Sequence, residues 1–295
     1  MKEYKSFYKT VEGNEGNRCK YSTRLDTYGC GCAHDCAYCY AKSLLDFRNL
    51  WDAKEPAVAD ISKIARRIER IPEGSIVRLG GMTDCYQPME AERRATRETI
   101  KLLNQRGIGY LIVTKSDLIC EDLHILDKDL AHVQVSTTWI PCEKAVSTER
   151  RIGAIEALQD AGFDVAVRLS PYLPQFVDYG RLNSIRCNKI IVEFLRVNHW
   201  IKKWLPLDYS AWTVRHAGYQ HLPLADKIAA LAKITGFDEV SVCEDVPEHW
   251  EYWRECVNHN KDDCCNLRRN ENGNEEERDV PLRTVRRDEG RIYER

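Results

Sequence analysis

The chain has no apolar run of the roughly 18 residues that a membrane-spanning helix needs. It also has almost no net charge: 44 Lys+Arg stand against 46 Asp+Glu, a balance of −2. That balance excludes a bulk polycation that grips nucleic acid by charge alone, so any such contact has to come from a local patch. The opening residues, MKEYKSFYKTVEGNEGN, lack the apolar segment of a secretory signal. The expectation is a cytoplasmic protein without membrane contact. Against these absences the thirteen cysteines stand out. Their number is odd, and a reducing compartment does not favour a disulfide framework. Metal, cluster or catalytic thiols are the reading that remains. At 295 residues the chain can bury a full core, as one large domain or two small ones.

Residues 1–21 are polar and read as an N-terminal arm. From about Asp60 onward helix and strand patterns alternate. Ile61, Ile64, Ala65 and Ile68 recur at helical spacing, and Ser75–Leu79 reads as a buried strand. Further helices are predicted over about 89–106, 121–130, from Thr148 as cap to Gly162, and 224–235. Strands are predicted at Tyr110–Val113, Val133–Ser136, Val165–Leu169, Lys189–Phe194 and Val240–Val242. Helices between strands argue for a parallel sheet, and six or seven such units suit a complete or partial βα barrel. Ala161-Gly162-Phe163-Asp164-Val165 resembles Thr235-Gly236-Phe237-Asp238, read either as reused turn chemistry or as an internal repeat. The division expected is an arm (1–21), a core barrel (22–245), a cysteine-containing extension (246–267) and a tail (268–295). The last thirty residues hold eight Arg and eight Asp or Glu with few apolar side chains, a composition that cannot bury enough to order itself.

The chemistry is concentrated in YGCGCAHDCAYCYA, residues 28–41. Cys32, Cys36 and Cys39 form C-x₃-C-x₂-C. Three thiolates this close can hold three irons of a [4Fe–4S] cluster and leave the fourth open to a small chelating ligand. The alternative is a structural zinc site with Cys30 as fourth ligand, but Cys30-x-Cys32 is cramped and no second paired knuckle follows at the usual distance.

This motif, with Tyr38 before its last cysteine, resembles the radical S-adenosylmethionine (SAM) superfamily. The wider context resembles its spore photoproduct lyase-like branch. The resemblance implies an α/β fold, a partial (β/α)6-type TIM barrel with a C-terminal cysteine-containing extension. It implies a [4Fe–4S] cluster on Cys32, Cys36 and Cys39 and SAM on the open iron. One electron, from a donor such as flavodoxin or ferredoxin, then cleaves SAM to a 5′-deoxyadenosyl radical that takes a hydrogen from substrate. It also implies cofactor-binding roles. Leu79-Gly80-Gly81-Met82-Thr83-Asp84 resembles the Gly-Gly-Glu element that receives the SAM amino group, with Met82 in place of the acid; Gly80, Gly81, Thr83 and Asp84 are carried over with Tyr38. Ser136 and Thr138 would offer hydroxyls to carboxylate or ribose. Arg168 is read either as a bidentate partner of the carboxylate or as a structural ion pair. Lys115 is a further candidate. The lyase branch uses a cysteine as hydrogen donor. Cys85 and Cys142 lie just past strand ends and are the candidates here, with Tyr86 facing substrate beside them.

Cys243, Cys256, Cys264 and Cys265 fall after the last predicted strand. They are read either as a second site for an auxiliary cluster or zinc, or as ordinary thiols around a closing helix. Residues 195–221 carry Trp200, Trp204, Tyr209, Trp212 and Tyr219 among Arg196, Lys202, Lys203 and Arg215, with Asp208 the lone acid. Aromatics interleaved with base suit stacking on nucleobases; the other reading is a packed lid. Three functions stay open: a radical SAM enzyme acting on a nucleobase in DNA or RNA by repair or modification, one acting on a peptide or small metabolite, and a non-catalytic zinc-binding nucleic-acid module.

Overall fold

The computed structural model describes residues 3–4, 8–10, 19–141 and 143–268. In chain order its strands are β1 (Glu3–Tyr4), β2 (Tyr8–Thr10), β3 (Thr23–Leu25), β4 (Tyr28–Gly29), β5 (Ala57–Ala59), β6 (Ile76–Leu79) and β7 (Gly109–Thr114). They continue with β8 (Ala131–Ser136), β9 (Asp164–Tyr172), β10 (Lys189–Phe194), β11 (Val214–His216), β12 (Tyr219–His221) and β13 (Glu239–Val242). The main sheet runs β13-β10-β9-β8-β7-β6-β3-β2, parallel throughout except for the antiparallel pair β2–β3. This is the expected α/β architecture, a curved parallel sheet of seven strands in a partial barrel. β8 is buried along its whole length and β7 almost so, because a parallel strand is covered on both faces.

Several local expectations change. The arm contains structure: β1 pairs in parallel with β5, and β2 pairs with β3. The helix expected over 89–106 is two helices, Glu90–Arg93 and Ala95–Gln105, parted by Arg94 at φ 54. The break lets the buried Glu90 carboxylate accept from Thr96 N and Arg97 N, both at 3.0 Å, and so cap the second helix. The helix expected over 121–130 is instead the 3₁₀ turn Asp117–Asp122, capped by Ser116. Its Asp122 is drawn inward by Arg97 and the Tyr86 hydroxyl, which stops an α-helical register from starting. Ser147, not Thr148, caps the helix Thr148–Asp160. The helix expected over 224–235 ends at Leu231. The two similar junctions are held differently. Gly162 is left-handed at φ +80, whereas a Cβ at Gly236 would strike the backbone of Asn183. The charged tail falls outside the described residues from 269 onward, as does Cys142.

The last described segment, 263–268, lies across the N-terminal ends of the strands. Arg268 N donates to Asp164 at the start of β9 (2.7 Å), and Lys189 at the start of β10 donates to Asn266 O (2.9 Å). Asn266 also bonds Glu239 at the start of β13, and Tyr21 donates to Asp263 (2.7 Å). The extension therefore closes the lower mouth of the barrel and leaves the opposite end for the site.

Candidate functional site

The C-terminal ends of β6–β10 and the cysteine loop enclose an open cavity. In barrels of this kind, chemistry sits at that end because loops of independent length converge there. The cysteine loop forms one wall. Asp35 N donates to Cys32 O (3.0 Å) and Cys39 N to Cys36 O (3.1 Å), so two tight turns set the three sulfurs along one loop. Gly31 stands at φ +155, and a Cβ there would run into Asp52 O, so only glycine fits the entry to the loop. The Cys39 sulfur accepts from Lys42 N (3.4 Å) and so caps the helix Tyr40–Leu45. Burial pushes all three thiols up, which keeps them protonated unless a soft metal replaces the proton.

The floor is the Gly80–Asp84 turn. Asp26, just past β3, accepts from Gly81 N (2.6 Å) and Met82 N. Burial raises the Asp26 carboxyl to about 6 despite those two N–H donors. Tyr40 donates to Gly81 O, which ties the turn to the cysteine loop. Gly80 is left-handed at φ +78, and a Cβ on Gly81 would collide with the Arg24 side chain. These glycines thus answer needs of the chain itself as well as any ligand's need for close approach. Asp84 accepts from Thr114 Oγ1 (2.7 Å) and Lys115 N (2.6 Å), and His34 Nε2 lies 3.2 Å from it. Burial alone would raise its carboxyl, but His34, the Lys115 N–H and Thr114 outweigh burial and hold it low.

The far wall carries the charges. Lys115 Nζ donates to Ser136 Oγ (2.7 Å) and lies 5.6 Å over the Tyr38 ring. Burial pulls its ammonium down, against the neighbouring Cys36 thiol, which holds it up. Arg168 donates to Gln134 Oε1 (2.7 Å) and Glu193 Oε2 (2.6 Å), and Ser170 Oγ reaches the same Glu193 oxygen (2.8 Å). Arg168 is therefore a buried ion pair with Glu193, and its guanidinium is already committed. Glu193 had a legible signal: it is the single acid in the buried strand KIIVEF. His34 was equally visible, inside the cysteine motif. Arg78 and Arg196 complete the walls; Arg196 belongs to the basic, aromatic stretch already singled out, whereas Arg78 carried no signal beyond its place in β6.

Cys32, Cys36, Tyr38, Cys39, Gly80, Gly81, Thr83, Asp84, Ser136 and Arg168 all line the cavity. Other expected residues do not. Cys85 and Tyr86 are packed in the hydrophobic core, each 1% exposed, with the Tyr86 hydroxyl on Asp122 (3.0 Å). The chain turns inward after Asp84, which removes both from the place expected for a hydrogen donor; Met82 faces the cavity instead. Thr138 is turned away onto Glu143 (2.8 Å). Cys256 is exposed at the end of the helix Pro247–Cys256, apart from the buried Cys264 and Cys265.

The donor set suits the groups that the sequence implies. Three soft thiols share one loop beside an open cavity lined by polar and charged side chains. The Tyr38 hydroxyl is buried there without a hydrogen-bond partner, a cost of about 1–3 kcal/mol that a ligand's polar atom would offset. Among the described residues, no three His, Cys, Asp or Glu side chains are gathered tightly enough to chelate a single ion. No helix among them is long and apolar enough to cross a membrane.

Comparison with known proteins places this geometry. An uncharacterised protein of Methanocaldococcus jannaschii is 26% identical over 162 residues, covering 50% of this chain and 60% of that protein. An uncharacterised protein of Mycobacterium tuberculosis is 29% identical over 168 residues, 51% of this chain and 49% of its own. The chain thus spans about half the length of the curated relatives it matches. Among solved structures, spore photoproduct lyase with bound AdoMet and dinucleoside spore photoproduct superposes with a TM-score of 0.57 at 14% identity, covering 77% of this chain and 78% of that one. A single-site mutant of the same lyase gives 0.59 at 14% identity, over 81% and 79%. The fold is shared with that enzyme. The sequence profile of the radical SAM superfamily matches residues 27–178, just over half of the chain and the stretch that holds the three cysteines, the Gly-Gly turn and Arg168, and the protein belongs to that superfamily.

Proposed function

We propose that this chain is a radical SAM enzyme that abstracts hydrogen from a nucleobase of DNA or RNA, in repair or in modification. Cys32, Cys36 and Cys39 would hold a [4Fe–4S] cluster, loaded by an electron donor such as flavodoxin or ferredoxin in a reducing cytoplasm. When bound, the cluster supplies the single electron that cleaves SAM reductively. The residues of the chain do the positioning. The Gly80–Thr83 turn, pinned by Asp26 and Tyr40, offers backbone to an ammonium group. Lys115 and Ser136 form the anion-binding corner for a carboxylate, a role the Glu193 pair denies to Arg168. Tyr38 offers its unpartnered hydroxyl.

The observation that carries the nucleobase reading is a ladder of rings beside the cavity. Phe47 stacks on Trp200 at 6.2 Å and 8°, and Trp200 on Trp204 at 6.2 Å and 29°. Phe47 is 51% exposed. Lys42 lies 4.7 Å over Trp204, Lys203 5.9 Å over Trp200 and Arg48 5.0 Å over Phe47. Rings flanked by cations suit the stacked bases and phosphates of a single strand. The ladder joins the cavity through Arg196, which lies 5.3 Å over the Tyr40 ring, and through Asn198, which donates to Ser43 (3.0 Å). The rest of 195–221 is structural: Trp212 is buried and donates to Leu195 O (2.9 Å), with Tyr209 packed against it. Superfamily membership sets the non-catalytic zinc module aside.

The test is isotope transfer. The reconstituted, reduced protein is given SAM and deuterated single- or double-stranded oligonucleotides, and deuterium in 5′-deoxyadenosine is measured. Transfer from an oligonucleotide supports the reading. Transfer only from peptides or small metabolites replaces it with the second one. Serine at Cys32, Cys36 and Cys39 abolishes SAM cleavage if the cluster ligands are as proposed.

A further inference from the structure

A second set of thiols gathers around the closing segment 263–268, apart from the cysteine loop. Cys19 precedes β3, Cys243 follows β13, and Cys264 and Cys265 belong to the segment that closes the lower mouth. The Cys264 thiol touches both Cys243 and Cys265. All three pack in one small apolar group with Leu111, Trp250 and Leu267. Cys19 lies within electrostatic reach of Cys243 and Cys265. Cys243, Cys264 and Cys265 thus gather at one place with Cys19 nearby, not yet at chelating distance, and Cys264 and Cys265 are 8% and 5% exposed.

Two arginines lie close to these thiols. The guanidinium groups of Arg78 and Arg168 face Cys265, and Arg78 also faces Cys19. These are the same two arginines that line the cavity above, so they separate the two sets of thiols. Cys256, which the sequence spacing grouped with Cys243, is exposed at a helix end, whereas Cys19, distant in the chain, lies within electrostatic reach of Cys243 and Cys265. An all-sulfur donor set selects thiophilic metals over Mg²⁺ or Ca²⁺. The segment that carries Cys264 and Cys265 buries little apolar surface besides Leu267, so a metal tie to the strand ends would supply what packing does not.

We propose that Cys19, Cys243, Cys264 and Cys265 form a second, all-thiolate site for a thiophilic metal centre, zinc or iron–sulfur, that fastens the C-terminal segment across the lower mouth of the barrel. Loading exchanges thiol protons for the metal and draws the four sulfurs together. Zinc loading involves no electron transfer, and an iron–sulfur centre assembled from sulfide with ferrous and ferric iron in the ratio it holds needs no net electron transfer either.

The experiment uses the full chain, wild type and with Cys32, Cys36 and Cys39 all replaced by serine. Each is prepared anaerobically with zinc, or with ferrous and ferric iron and sulfide, and metal and acid-labile sulfide per chain are counted. The triple variant should still bind: one zinc per chain identifies a mononuclear site, and iron with matching sulfide identifies a cluster. Adding Cys243→Ser or Cys265→Ser should remove most of that metal, whereas Cys256→Ser should leave it in place. Melting of the wild-type chain should rise on loading, by several degrees, and fall on chelation. A folded triple variant that takes up neither zinc nor iron overturns the proposal. If the triple variant does not fold, the wild-type count decides: metal no greater than one three-cysteine cluster accounts for overturns it equally.

Discussion

At the scale of single residues, two positions around the cavity are constrained for reasons that have nothing to do with catalysis. Gly31→Ala would place a Cβ on the Asp52 carbonyl, in a backbone that favours glycine. The loop would have to move, at a cost of about 3 kcal/mol. The expected outcome is a lower melting temperature together with reduced iron uptake, measured on the same preparation. Glu193→Ala would leave the buried Arg168 guanidinium without its main partner. Glu193 is partly exposed, so solvent softens the loss to about 2 kcal/mol. Glu193 is held at about 2: burial would raise its carboxyl, but Arg168 and Arg196 outweigh burial and keep it ionised. Calorimetry of the variant should show the loss in stability, and SAM affinity should change less than for Lys115→Ala, if Lys115 is the carboxylate partner. The cysteine motif was legible because ligand spacing is local in the chain. The fate of Arg168 was not, since its partner Glu193 stands 25 residues away on the next strand.

At the scale of elements, the stretch 195–221 divides into two jobs that composition could not separate. Trp212 faces the core and donates its indole N–H, while Trp200 and Trp204 stack outward on Phe47. Trp212→Ala is expected to destabilise by about 3–5 kcal/mol through the cavity it leaves. Trp200→Ala should leave stability nearly unchanged and weaken single-stranded oligonucleotide binding about tenfold, the value of one base–aromatic stack. Fluorescence anisotropy with a labelled oligonucleotide, beside a thermal melt, separates the two. Equal oligonucleotide affinity in wild type and Trp200→Ala would remove the ladder from the binding surface. Phe47 was missed in the sequence because it lies some 150 residues from its stacking partner and only packing of the helix Tyr40–Leu45 against the helix His199–Trp204 brings them together.

At the scale of the whole molecule, the barrel is fastened at both ends by buried charge. Near the last strand, Glu244 accepts from Lys227 and from Asp245 N and Val246 N, at the start of the helix Pro247–Cys256. Burial would raise its carboxyl, but His249, Lys227 and the Val246 N–H outweigh burial and bring it to about 2. A folded value below the unfolded one of about 4.3 means that the stabilisation is complete above that pH and is lost as pH falls toward 2. Denaturant midpoints should therefore drop between pH 5 and pH 3, with Glu244 contributing about 2 kcal/mol, and Glu244→Gln should flatten part of that slope. At the lower mouth, Asp164 works in the same sense: burial opposes its charge, and His132, Lys189 and the Arg268 N–H more than compensate.

The amino-acid sequence by itself determined the alternation of strand and helix, the parallel sheet, the three-cysteine loop and the superfamily. Each rests on short-range regularities: the 3.6 and 2 periodicities, turn glycines, and three cysteines within eight positions. Tertiary structure alone decided which expected residues face the cavity. It turned Cys85, Tyr86 and Thr138 into the protein, committed Arg168 to Glu193, and set Lys115 beside Ser136. It also left Cys256 exposed and set Cys19 within electrostatic reach of Cys243 and Cys265. The physical reason is common to all of them. Side-chain partners in a barrel are chosen by strand register and by closure of the sheet, which join residues that the chain keeps far apart.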